Sequence, residues 1–298
     1  MNVTDLENLR KKVQRKVLLC IFITIISAIF IALITTTFSH SIIVLILGTI
    51  ISFAICSKPI KTFTMAFKDL FVLKSLKSIF TDLQYNPMVG IDEGIIRETQ
   101  MMNMGDRYSS NDLIIAKYKN INIMQADVHI EEEHQTTDSD GHTTTTYVTI
   151  FRGRWMIFDF NKTFKANLQL CQKGFSNSKL NNWGNKEKFK KVMLEDEAFN
   201  KMFRTYAQSE HEAFYILTPS LMEKIKNLVS SVNGKILFCF VDNKLHVGLQ
   251  NNKDSFEHSI FKKIDEKQII ENISKDIKLI TNFVDELDLD NDLFRKEV

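Results

Sequence analysis

The chain has 298 residues, with 38 Lys+Arg against 36 Asp+Glu and a formal net charge of +2 at pH 7. That length holds one large domain or two small ones beyond any anchor, and so small a net charge excludes a global field that would gather nucleic acid. The four cysteines form no CxxC pair, which removes the main support for a zinc ribbon or a thioredoxin-like site.

Thr4 and Glu7 have the spacing of a capping box, and a basic amphipathic helix is expected over residues 1–16. Residues 17–57 then contain no Asp, Glu, Lys or Arg. A bilayer crossing takes about 20 apolar residues, and this stretch is about twice as long. Val17 to Phe38 supplies one span and Ile42 to Ile55 the apolar heart of a second. Thr35, Thr36, Thr37, Ser39, His40 and Ser41 make the polar break between them. A two-helix transmembrane hairpin is expected over 17–57. A cleaved signal fits less well, because the run is too long and a second apolar segment follows at once.

Orientation follows from the flanks. Arg10, Lys11, Lys12, Arg15 and Lys16 precede the first span, and Lys58, Lys61, Lys68, Lys74 and Lys77 follow the second. The connecting turn carries no cation, so both termini are expected in the cytoplasm, with residues 58–298 forming a cytosolic domain. The expected location is the bacterial inner membrane. The bilayer itself is the expected partner, its anionic headgroups meeting the basic flanks.

Phe63, Phe67, Leu70, Phe71, Leu73, Leu76, Phe80 and Leu83 recur at helical spacing. They read as a helix extending from the second span, in preference to one lying on the membrane surface. From residue 112 the texture changes to strands. Residues 112–119 and 121–130 flank a short polar turn, and 145–151 and 155–160 flank Arg152, Gly153 and Arg154, which reads as a hairpin turn. Residues 131–146 are polar and without an apolar anchor, so a mobile loop is expected. A second loop is expected over 176–187. Another strand is expected near 166–172. The C-terminal third reads as a short strand, a helix around 196–202, a strand through Arg204, Thr205 and Tyr206, and a helical turn near 210. Thr218 caps a helix with Pro219 at its first position. A hairpin turns at Asp242 and Asn243, and an amphipathic helix spans 265–287. The fold class is therefore α+β: an N-terminal transmembrane helical hairpin, then a cytosolic mixed domain with antiparallel β-hairpins and covering helices. The hairpins are too small to stand alone, so one soluble unit is expected rather than two.

Candidate chemistry is sparse. His129, His134 and His142, with Glu131, Glu132, Glu133, Asp138 and Asp140, form the densest set of potential metal ligands. Within it His134, His142, Asp138 and Asp140 are the candidates for a shell. Their spacing matches no finger, zinc-protease or EF-hand pattern, so no metal is expected. His211 and Glu212 begin an HExxH pattern that fails at Tyr215. No nucleophile elbow or glycine-rich phosphate loop is present, and catalytic residues and cofactors are not assigned. Cys171 and Cys239 lie in apolar stretches and read as buried small hydrophobes.

Four blocks carry a resemblance to a known group: 106–134 (DRYSSNDLIIAKYKNINIMQADVHIEEEH), 149–164 (TIFRGRWMIFDFNKTF), 194–228 (LEDEAFNKMFRTYAQSEHEAFYILTPSLMEKIKNL) and 234–257 (GKILFCFVDNKLHVGLQNNKDSFE). With the paired spans, they make the chain similar to bacterial two-span membrane proteins catalogued as a domain of unknown function. The shared block covers about 85–290, and its most specific parts are FRG-x-W/F and YILTPSLM. The resemblance implies a membrane protein with no established reaction. It also implies a plausible membrane partner, since some members look to be encoded near LemA-type membrane proteins. The function expected is a membrane-anchored, non-enzymatic interaction or sensing module in membrane-associated assembly. The alternative is a membrane-anchored metal-dependent hydrolase using the His/acid loop 129–142.

Overall fold

The computed structural model describes residues 1–35, 38–102, 104–160, 166–175 and 189–290. The expected loop at 176–187 lies outside the described residues. Two compact units are present: Met1–Ser75 with Phe256–Ser274, and Leu76–Ser255 with the chain from Lys275 onward.

In the first unit, α1 (Val3–Ile34) starts two residues before the point that a Thr4 cap would set. Asn2 is the N-cap. Its side chain accepts from the Asp5 N–H at 2.8 Å, while Asp5 Oδ2 accepts from the Asn2 N–H at 3.2 Å. Asn accepts the cap bond as well as Thr, and Glu7 is drawn instead to Arg10, 2.8 Å away. The second helix, α2 (Phe38–Phe67), runs through Pro59 and continues as a π-helical turn (Lys68–Leu73) into α3 (Lys74–Lys77). The second helix thus runs far beyond Ile42–Ile55, the apolar heart expected for it. The helices meet through small groups. Thr24 Oγ1 and Ser52 Oγ are 3.1 Å apart. A Cβ on Gly48 would stand 2.5 Å from Thr24 Cγ2, a close approach typical of small-residue helix contacts. Most apolar side chains face outward; Phe30 is 61% and Phe53 78% exposed.

The helix after the second span was expected to run through Phe80 and Leu83. It ends at Lys77, and β1 (Thr81–Asn86) pairs with β2 (Arg107–Tyr118). A 3.6-residue apolar spacing cannot see the ladder in which Gln84, Tyr85 and Asn86 face Ile115, Ile114 and Leu113. The other strands are β3 (Ile121–Thr137), β4 (Thr143–Asp159), β5 (Leu168–Gln172), β6 (Lys190–Val192), β7 (Phe203–Ala207), β8 (Lys235–Val241) and β9 (Lys244–Gln250). They form one antiparallel sheet in the order β1-β2-β3-β4-β9-β8-β5-β7-β6. The helices α4 (Glu93–Glu98), α5 (Glu197–Met202), α6 (Glu210–Ile216), α7 (Pro219–Ser231) and α8 (Glu266–Glu286) complete the chain. Thr218 caps α7, its side chain accepting from the Leu221 N–H, with Pro219 at the first position as expected. The α+β class and the N-terminal helical hairpin hold.

Two local expectations do not. Arg152, Gly153 and Arg154 form no turn, because β4 runs unbroken through them. Gly153 is needed for strand contact: a Cβ there would stand 2.0 Å from the Leu249 carbonyl oxygen. The polar stretch 131–146 is also no loop. β3 and β4 continue through it as a two-stranded arm, pairing Glu132 with Val148 out to Thr137 with Thr143. Its threonines favour extended backbone, and Asp138 closes the turn by accepting from the N–H groups of Asp140 and His142.

Both faces of the central strands are covered. On one face Ala126, Val128, Trp155, Leu237 and Cys239 pack with Ile91, Ile96 and Met101. On the other, Phe158 stacks on Phe283 of α8 with centroids 5.9 Å apart, and Phe238 meets Phe203 at 6.1 Å.

Candidate functional site

The candidate metal ligands are spread along the arm. His134 pairs with Thr146, whereas His142 sits in the turn. Four residues of extended chain separate these positions, about 13 Å. His134 lies near Glu132 at 3.4 Å and His129 near Glu131 at 3.6 Å. Asp138 spends an oxygen on the turn's own backbone, and Asp140 is exposed. Among the described residues, no three members of this set bring ligand atoms within 4.8 Å of one another.

A pocket of about 310 Å³ opens instead where β3, β4 and β9 meet α4. Ile95, Ile115, Met124, Ile157 and Val241 make it apolar, while Glu98, Asn122, Asp159, Asp242 and Lys244 supply polar groups. Cross-strand pairing explains the convergence. Asn122 and Met124 lie on β3, Met124 is opposite Ile157 on β4, and Ile157 is opposite His246 on β9. Asn122 Nδ2 donates to Asp159 Oδ2 at 2.5 Å. The α4 wall is held by Gln169, whose Nε2 donates to the Thr99 carbonyl at 2.8 Å.

His246 is the buried titratable group of this pocket. Its Nδ1 accepts from Trp155 Nε1–H at 3.4 Å, which places the proton of the neutral ring on Nε2. Burial, reinforced by the nearby Lys244 charge, depresses its pKa to about 4. A neutral imidazole donor, an amide and a mainly acidic rim around apolar walls suit a small ligand with an apolar body and a hydrogen-bonding head. Sequence reading missed this site, because its residues are adjacent only across the ladder and no local motif marks them.

A second buried cluster lies on the opposite face. Asp127 and Arg154 are directly opposed on β3 and β4, Nε to Oδ1 3.7 Å, and Arg154 is 1% exposed. Arg154 Nη1 donates to the Asp276 carbonyl at 2.7 Å and Nη2 to Ser255 Oγ. The Ser255 hydroxyl donates to Asp127 Oδ1 at 3.0 Å, and its N–H donates to Oδ2. Burial pushes the Asp127 carboxyl up to about 7, against the pull of the guanidinium and the Ser255 N–H. Arg154 is therefore a buried anchor within β4. It ties the segment at Ser255 and the start of the second half of α8 to the sheet. Cys171 and Cys239 are buried, and burial pushes both thiols up, Cys171 to about 12. They are poor nucleophiles.

Residues 149–289 match a family described as protein of unknown function (DUF3137). The resemblance to a domain of unknown function is thus borne out over that stretch. No curated protein matches in sequence. Among solved structures, the crystal structure of the mycobacterial trehalose monomycolate transport factor A, TtfA, is similar at 9% identity and a TM-score of 0.35. That likeness covers 76% of this chain and 94% of that one.

Proposed function

We propose that the chain is a membrane-anchored binding module: α1 and α2 cross the bacterial inner membrane, both termini are cytoplasmic, and residues 58–298 work as a non-enzymatic interaction or sensing domain. The observation that carries this reading is the outward-facing apolar surface of two helices long enough to span a bilayer. An apolar surface of that extent has no place in water. The cation-free turn between basic flanks supports the orientation, and the pocket at His246 is the module's candidate ligand site. Washing native membranes with alkaline carbonate should leave the chain in the pellet, while detergent should release it. Release by carbonate alone would mean that the helices are buried by protein rather than lipid.

A further inference from the structure

We infer that the turn Ser259–Lys263 is a second membrane contact, seating Ile260 and Phe261 in the interface of an anionic leaflet with Lys262 and Lys263 on its headgroups. The inference rests on the spanning of α1 and α2 proposed above. It follows from where the first unit fixes each residue of this turn along the two helices. Glu7 accepts from the Ile264 N–H at 3.2 Å. Glu7 lies ten residues before Val17, where the charge-free run begins, which is about 15 Å along the helix axis. On α2, Phe67 stacks on His258 with centroids 5.1 Å apart, and Lys68 pairs with Glu257. Phe67 lies ten residues beyond Ser57, the end of the run, again about 15 Å. Both ends of the turn are therefore held at the same depth.

Its middle is held closer to the apolar run. Arg10 Nη1 donates both to the Ile260 carbonyl at 2.6 Å and to Gln14 Oε1 at 2.8 Å. Arg10 precedes Val17 by seven residues, about 10 Å. The Ile260 carbonyl is thus tied nearer the apolar run than His258 and Ile264 are. The polar headgroup layer is roughly 5–7 Å deep on each side of the hydrocarbon, so the turn stands within a few Å of its outer edge.

The chemistry of the turn fits that position. The Lys262 N–H donates to the Ser259 carbonyl at 3.0 Å, and His258 Nε2 lies 3.2 Å from the Lys262 carbonyl oxygen. Ile260 and Phe261 are therefore the two corner residues of a tight turn, a place where Gly, Pro, Asn and Asp are favoured in water. Phe261 is 54% exposed, and Lys262 and Lys263 beside it are exposed as well. An aromatic ring flanked by lysines is the composition of an interfacial anchor.

The test places the full-length chain in vesicles containing acyl-brominated lipid, made either with phosphatidylglycerol or with phosphatidylcholine alone. Emission added by Phe261→Trp, relative to the parent chain, should be quenched in the phosphatidylglycerol vesicles. Adding Lys262→Glu and Lys263→Glu should lower the quenched fraction several-fold there and leave it little changed in phosphatidylcholine. Phe22→Trp, inside the first span, serves as the separate control. If Phe22→Trp is quenched and Phe261→Trp is not, the turn does not touch lipid and this inference fails alone. If neither is quenched, the spanning reading fails and takes the inference with it.

Discussion

Replacing Arg154 by alanine should cost about 3–5 kcal/mol of folding stability, because it leaves one member of a buried ion pair behind. The guanidinium is 1% exposed and Asp127 is its cross-strand partner. Alanine also strips the Asp276 carbonyl of a 2.7 Å donor and Ser255 Oγ of another. The loss should be smaller in acid. Burial already holds the Asp127 carboxyl up near 7, so at about pH 5 it is mostly protonated and has less need of a cation. Asp127→Ala with Arg154→Ala should cost less than the sum of the two single changes, since the pair couples across the ladder. Denaturant titration of the detergent-solubilised chain measures all three. Additive losses, or a single-variant loss under about 1 kcal/mol, would show that the pair is solvated.

The second large effect belongs to His246. Its pKa falls from 6.5 to about 4 because the ring is buried. The unfolded chain takes up a proton below pH 6.5, and the folded chain resists doing so until about 4. The neutral ring's contribution is therefore complete above the unfolded value and is lost as pH falls through that window. The full loss is on the order of 3 kcal/mol. Asp127 has the opposite sign: a pKa raised to about 7 in the fold makes stability fall as pH rises from its unfolded value. The wild-type profile mixes the two, so the informative quantity is the difference from His246→Gln, which keeps an acceptor for Trp155. The wild-type advantage should shrink by about 2 kcal/mol between about pH 6.5 and 5. A difference that does not change with pH would place the imidazole in solvent and open the pocket floor.

What the sequence revealed depended on whether the signal was local. The turn at Asp242 and Asn243, the strands at 112–119 and 121–130, and the Thr218–Pro219 start of α7 are fixed by neighbouring residues, and each was legible. The arm was misread because polarity was taken for looseness, whereas the paired threonines of β3 and β4 favour extended backbone. Arg152, Gly153 and Arg154 were misread as a turn because β4 is covered on both faces and has no clean period of two. Arg154 and Asp127 look like surface charges until the register sets them opposite each other. The pocket was illegible for the same reason: Met124, Ile157 and His246 stand on three strands and meet only through pairing. The buried thiols of Cys171 and Cys239 needed no partner to be read correctly, since their apolar surroundings are local.

The most direct measurement of the account is a topology reporter active only outside the cytoplasm, fused after Val298 in the full-length chain. Cations flank α1 and α2 on their outer ends and are missing from the turn between them, so both termini should stay inside. The fusion should be silent, while the same reporter inserted after Thr35, between α1 and α2, should be active. Activity after Val298 would put the sheet, the His246 pocket and the Ser259–Lys263 turn on the far side of the membrane and contradict the account.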